Sequence, residues 1–114
     1  MVMTPSMVTI DCADPGRLAG FWTEAAGYRV HRDFESFVVL KPVSGEGITI
    51  GLQKVPEERA SKNRVHVDWH SDDREAEIER LVKLGATVRA EESVPGLTWT
   101  VLSDPEGNEF CVAG

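Results

Sequence analysis

The sequence contains an internal duplication, and this feature constrains the fold more than any other. Residues 7–30 read as an alternating strand, a helix that starts after an aspartate, a glycine and a second strand, and residues 65–88 repeat that order. Each half holds about 50 to 55 residues, which is small for an independent domain. We therefore expect a single domain over residues 1–114, built from module one (residues 7–55) and module two (residues 64–113).

The start and end of each helix are marked by residues with a known physical role. Asp14 is expected to cap the first helix because its side chain accepts a hydrogen bond from a free N–H group, and Gly27 is expected to end it. In module two we expect Asp72 to be the cap, Glu75 to complete a capping box and Gly85 to end the helix. The apolar residues between these signals recur at helical spacing.

Each helix lies between an opening strand and three further strand-like runs separated by turn residues. This pattern predicts an α+β fold of two tandem βαβββ modules, in which one helix covers one face of each sheet. The other faces are then free to curl around a shared cavity. The predicted strands are Met7–Cys12, Tyr28–His31, Ser36–Lys41 and Gly47–Val55 in module one, and Val65–Trp69, Thr87–Glu91, Leu97–Ser103 and Glu109–Val112 in module two.

Charge and composition exclude several classes of function. The chain has 12 Lys and Arg against 19 Asp and Glu, a formal net charge of −7, which disfavours binding to nucleic acid or to an anionic membrane surface. The apolar runs are too short to span a bilayer, and the first residues lack the features of a secretory signal. We therefore expect a cytoplasmic protein in which Cys12 and Cys111 are free thiols.

Three motifs in a fixed order carry a resemblance to a known family, and it covers the chain from about Met7 to Val112. They are Asp11–Pro15 with Leu18–Trp22 and Gly27, then Asn63–Asp68 with Leu81–Ala86, and finally Trp99–Leu102 leading into Asp104–Phe110. With these motifs the sequence resembles the vicinal oxygen chelate superfamily, which includes glyoxalase I, bleomycin-resistance proteins and extradiol dioxygenases. It looks most like the short, single-domain glyoxalase-like branch.

The resemblance also implies where a metal would bind. Metal-using members hold a divalent ion with His, Glu or Gln ligands, and these positions fall here on Met7, Gln53, His66 and Cys111. A thioether is a poor ligand for the metals concerned, and a cysteine stands where metal-using members carry glutamate. Only His66 is a convincing ligand. We therefore expect no cofactor, with a divalent metal as the alternative.

Period-two alternation places polar side chains on the faces turned away from the helices. His66 is the candidate acid, base or ligand-contacting residue, with a structural histidine as the alternative, and Glu109 either orients His66 or lies in a solvated groove. Asp68 is expected to match Asp11 in the other module, either as a structural residue or as a catalytic one. The candidate ligand-binding residues are Met7, Thr9, Phe37, Gln53, Asp68, Trp99 and Cys111.

The resulting functional prediction is a glyoxalase-like protein that binds a small molecule in a concave cavity without the usual metal centre. The alternative is a lyase, isomerase or dioxygenase that uses His66, and a purely structural dimerisation module is a third reading. Because open sheet edges favour pairing, we expect a homodimer.

Overall fold

The duplicated plan is present in the backbone of the computed structural model, which describes residues 2–114. The chain divides into two compact units, Met1–Glu58 (unit 1) and Arg59–Gly114 (unit 2), so the boundary lies between the two predicted modules. The elements are β1 (Met7–Cys12), α1 (Pro15–Ala26), β2 (Tyr28–Asp33), β3 (Phe37–Pro42), β4 (Thr49–Lys54), β5 (Asp68–His70), α2 (Arg74–Leu84), β6 (Thr87–Val94), β7 (Leu97–Ser103) and β8 (Glu109–Ala113). The predicted α+β class and the two four-stranded sheets are confirmed.

Both sheets have the same topology. Their strand orders are β1-β4-β3-β2 and β5-β8-β7-β6, and the first and last strands of each module pair in parallel. In this register Thr9 lies beside Gly51 in unit 1, and Asp68 lies beside Cys111 in unit 2. Side chains that are neighbours across a ladder point to the same face, so each pair forms part of one surface.

The helix boundaries follow the capping signals, with one correction. Asp14 accepts a hydrogen bond from the Arg17 amide at 3.1 Å, and Gly27 ends α1 in the left-handed conformation at φ 68°. In α2 the cap is Asp73, which accepts from Ala76 N at 3.2 Å, so the prediction of Asp72 was wrong by one residue. Two adjacent aspartates can both act as caps, and the pattern alone does not distinguish them.

The two helices differ in how deeply they are buried. α1 buries five residues, Leu18 and Trp22 among them, whereas Leu81 is the buried residue of α2. Val82, an apolar residue of α2, is 46% exposed. Unit 1 therefore rests on a larger helix–sheet interface, which stabilises the fold in proportion to the apolar area removed from water. Among the described residues, no helix has the length and apolar character needed to cross a membrane.

The predicted opening strand of module two is shorter than expected. β5 begins at Asp68, and Val65, the first residue of the predicted strand, is 83% exposed in the preceding loop. Asn63 explains the difference, because its side-chain amide donates to the Val65 carbonyl at 2.6 Å and holds this segment in a loop conformation. A short side chain bonded to nearby backbone groups competes in this way with strand formation.

Candidate functional site

A pocket of about 670 Å³ lies on unit 2 and is the main candidate for a binding site. Its lining combines an apolar wall with several charged side chains. All of these residues belong to unit 2: Arg59, Lys62, His66, Arg89, Ala90, Glu92, Trp99, Val101, Glu109 and Cys111. Four of the residues predicted from sequence are therefore in this pocket, and a volume of this size accommodates a small organic molecule. The shared cavity expected from the sequence stays a prediction.

His66, Asp68 and Cys111 form a compact cluster at this pocket. His66 Nε2 lies 3.2 Å from Asp68 Oδ1, and the ligand-type atoms of all three residues lie within 4.8 Å of one another. Burial raises the pKa of the Cys111 thiol, and the charge and hydrogen bond of Asp68 raise it further, while Lys62 acts in the opposite direction. At neutral pH Cys111 is therefore a thiol that donates to the Asp68 carboxylate, not a reactive thiolate.

Glu109 is held by partners that the sequence analysis did not consider. Its carboxylate forms an ion pair with Arg59 and accepts a hydrogen bond from the backbone N–H of Asn63 at 3.3 Å. The Asn63 side chain also accepts from Glu109 N at 2.7 Å and donates to Glu109 O at 3.2 Å. This set of contacts, here called the Asn63 clamp, fixes the loop before β5 to β8. Asp68, rather than Glu109, is the carboxylate within hydrogen-bond distance of His66.

A basic side chain reaches the pocket from a β-bulge. The register of β6 against β7 shifts between Val88 and Ala90, so Arg89 lies at the bulge. Its Nε donates to the Ser103 hydroxyl at 2.9 Å, which fixes the side chain against a residue that is 1% exposed. β2 carries a bulge at the matching point, where His31 takes the place of Arg89. Bulges redirect a side chain away from the regular alternation, which is how Arg89 comes to line the pocket.

The predicted ligand-binding residues of module one lie on the open face of the sheet in unit 1. A side chain at Gly51 would meet Phe37, Met7 and Thr9 at 2.8 to 3.1 Å, so these three residues pack over the glycine. Gln53 is exposed near the end of β4. Unit 1 therefore brings Met7, Thr9 and Phe37 together, and Gln53 lies directly across the ladder from Phe37 on this face.

Strand register corrects two of the correspondences expected between the modules. Thr9 and Asp68 each lie five residues before the N-cap of the following helix, at Asp14 and Asp73, so Thr9 and not Asp11 matches Asp68. Gly51 pairs with Thr9 as Cys111 pairs with Asp68. The residue of module one that matches Cys111 is therefore Gly51, and Gln53 is displaced from that position by two residues.

Arg59, Lys62 and Arg89 of the pocket lining, and Asn63 beside it, were not among the candidate site residues predicted from sequence. Arg59, Lys62 and Asn63 lie between the two predicted modules, and the basic residues there were the available signal that this part of the chain borders a pocket. Arg89 had no comparable signal, because regular alternation from Thr87 does not reveal the bulge. Trp99, one of the predicted ligand-binding residues, is part of the pocket lining and is partly exposed there.

Comparison with known proteins gives one family match. A family model described as "Glyoxalase-like domain" matches residues 7–113. No curated protein matches the sequence.

Solved structures match the chain over almost its whole length. The protein UcmS2 is 25% identical, with a TM-score of 0.75, and the match covers 99% of this chain and 98% of that one. A glyoxalase/bleomycin resistance protein/dioxygenase family enzyme from Burkholderia phytofirmans is 21% identical, with a TM-score of 0.76 and 95% of each chain covered. A mutant of the fosfomycin resistance protein FosX from Listeria monocytogenes, complexed with Mn(II) and dihydroxypropylphosphonic acid, is 15% identical. Its TM-score is 0.82, with 98% of this chain and 90% of that chain covered.

Proposed function

The chain belongs to the glyoxalase-like domain family of the vicinal oxygen chelate superfamily, and we propose that it binds a small organic anion in the pocket of unit 2. The observation that carries this proposal is the arrangement of three basic side chains around an apolar wall. Arg59, Lys62 and Arg89 line the pocket together with Trp99 and Val101. In a chain of net charge −7, such a local cluster marks a site that attracts negative charge.

The charges within the pocket support an anion more specifically. Glu109 is already paired with Arg59, so the rest of the lining has one acidic residue, Glu92, and two basic residues, Lys62 and Arg89. Lys62 forms no ion pair within residues 2–114. Among the described residues, the Arg89 side chain donates to Ser103 through Nε, which leaves its terminal nitrogens available as donors for a carboxylate or phosphonate.

The apolar wall indicates that the anion also has an aromatic or aliphatic part. Trp99 presents a large flat surface beside Val101 and Ala90. Stacking or edge contact with an aromatic ring adds to the area that is removed from water on binding. An anion such as a naphthoate or phenylphosphonate combines both features, so it is the class of ligand that we expect.

Calorimetric titration of the full chain with naphthoate and with its uncharged analogue naphthamide tests this function. We expect naphthoate to bind more tightly, and Lys62→Gln to weaken its binding by about tenfold, since a charge-assisted hydrogen bond is lost. Lys83→Gln is the matched control, because Lys83 lies in the last turn of α2 outside the pocket lining. Equal affinity for the two compounds, or an unchanged affinity in Lys62→Gln, would exclude the proposal.

A second candidate function is an enzyme that uses His66 as acid, base or metal ligand, in a lyase, isomerase or dioxygenase reaction. The observation in its favour is the 3.2 Å contact between His66 and Asp68 at the pocket, since a carboxylate orients an imidazole. Turnover of glutathione–methylglyoxal adducts that disappears in His66→Ala, with the melting temperature unchanged, supports this candidate. Absence of turnover alongside anion binding favours the binding protein.

We also propose a homodimer. β1 and β2 are the outer strands of one sheet, and β5 and β6 are the outer strands of the other. Outer strands carry backbone groups that a second chain can bind. Sedimentation analysis that gives twice the mass of 12.6 kDa supports the dimer, and a monomer at all concentrations excludes it.

A further inference from the structure

The side chains of β7 measure the length of the pocket in unit 2. Trp99, Val101 and Ser103 occupy every second position of this strand, so all three point to the same face of the sheet. Trp99 and Val101 line the pocket, and the Ser103 hydroxyl holds the Arg89 side chain. A rise of about 3.3 Å per residue places Trp99 about 13 Å from Ser103. Trp99 and the Arg89–Ser103 pair therefore mark two opposite ends of the pocket.

The end at Ser103 carries a net positive charge. Arg89 is held there by its hydrogen bond of 2.9 Å to the hydroxyl. Glu109 lies directly across the ladder from Ser103, and its carboxylate is paired with Arg59. Since Glu109 and Arg59 neutralise each other, the charge that remains at this end is that of Arg89.

The middle of the pocket is mainly apolar. Ala90 and Cys111 are the neighbours of Val101 on the two adjoining strands, and all three line the pocket. Burial raises the pKa of the Cys111 thiol, so this side chain is uncharged at neutral pH. Lys62 lies close enough to act on the same thiol. The middle of the pocket therefore offers a surface for the body of a ligand, with a basic group beside it.

The end at Trp99 carries the opposite charge. Glu92 lies directly across the ladder from Trp99, and both residues line the pocket. Within residues 2–114 the Glu92 carboxylate forms no ion pair. Its neighbour Glu91 pairs with Thr100 on the other face of the sheet, where it lies 3.7 Å from Arg74. A carboxylate next to an indole ring attracts a cation, because the charge and the ring quadrupole act in the same direction.

We propose that Glu92 and Trp99 form a subsite for a cationic group, and that the ligand of unit 2 is a zwitterion with an apolar body between its two charges. Its ammonium group lies at Glu92 and Trp99, and its carboxylate or phosphonate lies at Arg89. The position of the acidic group rests on the proposed anion-binding function, whereas the cation subsite does not.

This arrangement gives Glu92 a role in specificity. A carboxylate without a basic partner in the lining of an anion site repels a simple anion and lowers its affinity. An ammonium group at the far end of the ligand converts this repulsion into attraction, so the same residue favours the zwitterion and disfavours the simple anion. The length of the pocket requires the two charges to be on the order of 10 Å apart.

Calorimetric titration of the full chain with three compounds tests the proposal. Biphenylcarboxylate carries the acid alone, aminomethylbiphenyl carries the amine alone, and para-linked aminomethyl-biphenylcarboxylate carries both at opposite ends of a rigid body. We expect this zwitterion to bind about tenfold more tightly than biphenylcarboxylate, because it adds a charge-assisted and cation–π contact. Aminomethylbenzoate should show no comparable gain over benzoate, because a single ring does not span the two ends.

Substitutions at two neighbouring glutamates assign the gain to one side chain. Glu92→Gln should reduce the affinity ratio of zwitterion to biphenylcarboxylate from about ten to about one, and Glu92→Lys should bring it below one. Glu91→Gln is the matched control, since Glu91 is the adjacent residue of β6 and faces away from the pocket, so the ratio should be unchanged. Both glutamates are exposed, and melting temperatures check that the variants fold.

The cation subsite and the anion function fail in distinguishable ways. A ratio near one in the unchanged chain, a gain that persists in Glu92→Gln, or an equal loss in Glu91→Gln would overturn the cation subsite. If biphenylcarboxylate binds through Lys62 and the amine adds nothing, the anion function stands without the subsite. If aminomethylbiphenyl binds through Glu92 and biphenylcarboxylate does not bind, the subsite stands and the anion function is wrong. Binding of none of the three compounds overturns both.

Discussion

The two units share one βαβββ plan and differ in what they carry on the open face of the sheet. In unit 1 that face presents Met7, Thr9 and Phe37 packed over Gly51, with no cluster of metal-binding groups among the described residues. In unit 2 the matching positions carry His66, Asp68 and Cys111. The same strand register therefore carries mainly apolar side chains on the open face of unit 1, and an imidazole, a carboxylate and a thiol on that of unit 2.

The helix-facing side shows the opposite division. α1 covers its sheet with five buried residues, whereas α2 buries Leu81. Unit 1 therefore has the larger apolar interface, and unit 2 has the polar and charged side chains that are costly to bury without partners. The two copies of the duplicated backbone therefore differ in composition. Unit 1 has more buried apolar residues on its helix, and unit 2 has the charged side chains of the pocket.

The largest expected effect tests the unequal helices. Leu18→Ala should lower the free energy of unfolding by about 3 kcal/mol, because Leu18 is 1% exposed and its loss leaves a cavity beneath α1. Val82→Ala on α2 should cost less than about 1 kcal/mol, because Val82 is 46% exposed. Urea denaturation measures both, and similar losses would show that the two helices are held equally.

The turn before the last strand of unit 2 should give the next effect. Asp104 is 3% exposed and accepts from the amides of Glu106 at 2.9 Å and Asn108 at 3.0 Å. Asp104→Ala leaves both amides without this partner and should cost about 2 kcal/mol. Ser44→Ala, in the exposed turn before β4, should be nearly neutral. A small loss in both variants would contradict the difference between the two turns.

Tyr28 provides a pH-dependent test of unit 1. Its hydroxyl donates to Ile48 O at 2.7 Å, and burial raises its pKa above the ordinary 10.0. A raised pKa stabilises the fold below the ordinary value, and this contribution is lost as pH rises from there through the raised pKa. Tyr28→Phe should cost about 1 kcal/mol at pH 7.

The same variant should lose less stability than the unchanged chain when pH is raised above 10.0. Unfolding measured across this range checks the sign. A steeper loss in Tyr28→Phe would show that the hydroxyl does not favour the protonated form in the folded state.

The smallest effect separates two neighbouring aspartates. Asp73→Ala should cost about 1 kcal/mol, because the side chain caps α2 through Ala76 N. Asp72→Ala should cost less than half of that, because Asp72 is exposed and contacts the exposed His70. Thermal unfolding compares them directly, and a larger loss at Asp72 would restore the cap expected from the sequence.

Most of the fold could be predicted because its signals are local. Asp14 and Gly27 define α1 through hydrogen bonds and a left-handed φ that depend on neighbouring residues alone. β5 was predicted too long because the residues from Val65 to Trp69 alternate as in a strand. The hydrogen bond from the Asn63 side chain to Val65 O keeps the first of these residues in a loop. Side-chain competition of this kind is not visible in periodicity.

The site was predictable only in part, for a related reason. Resemblance identified the positions of His66 and Cys111, and alternation placed Asp68 on the same face. Arg89 depends on a bulge between Val88 and Ala90, and bulges shift the alternation without changing composition. The pairing of Glu109 with Arg59 joins residues 50 positions apart in sequence (109 − 59), a contact that no local pattern specifies.

The Asn63 clamp has a consequence for how quickly a ligand can enter the pocket of unit 2. The side-chain amide of Asn63 pairs with Glu109 as a peptide group would, since its nitrogen donates to Glu109 O and its oxygen accepts from Glu109 N. A loop attached in this way does not need to close over an arriving molecule, so encounter and docking can occur in one step. The association rate should then depend on ionic strength, as expected for diffusion guided by charge, and only weakly on solvent viscosity beyond its effect on diffusion.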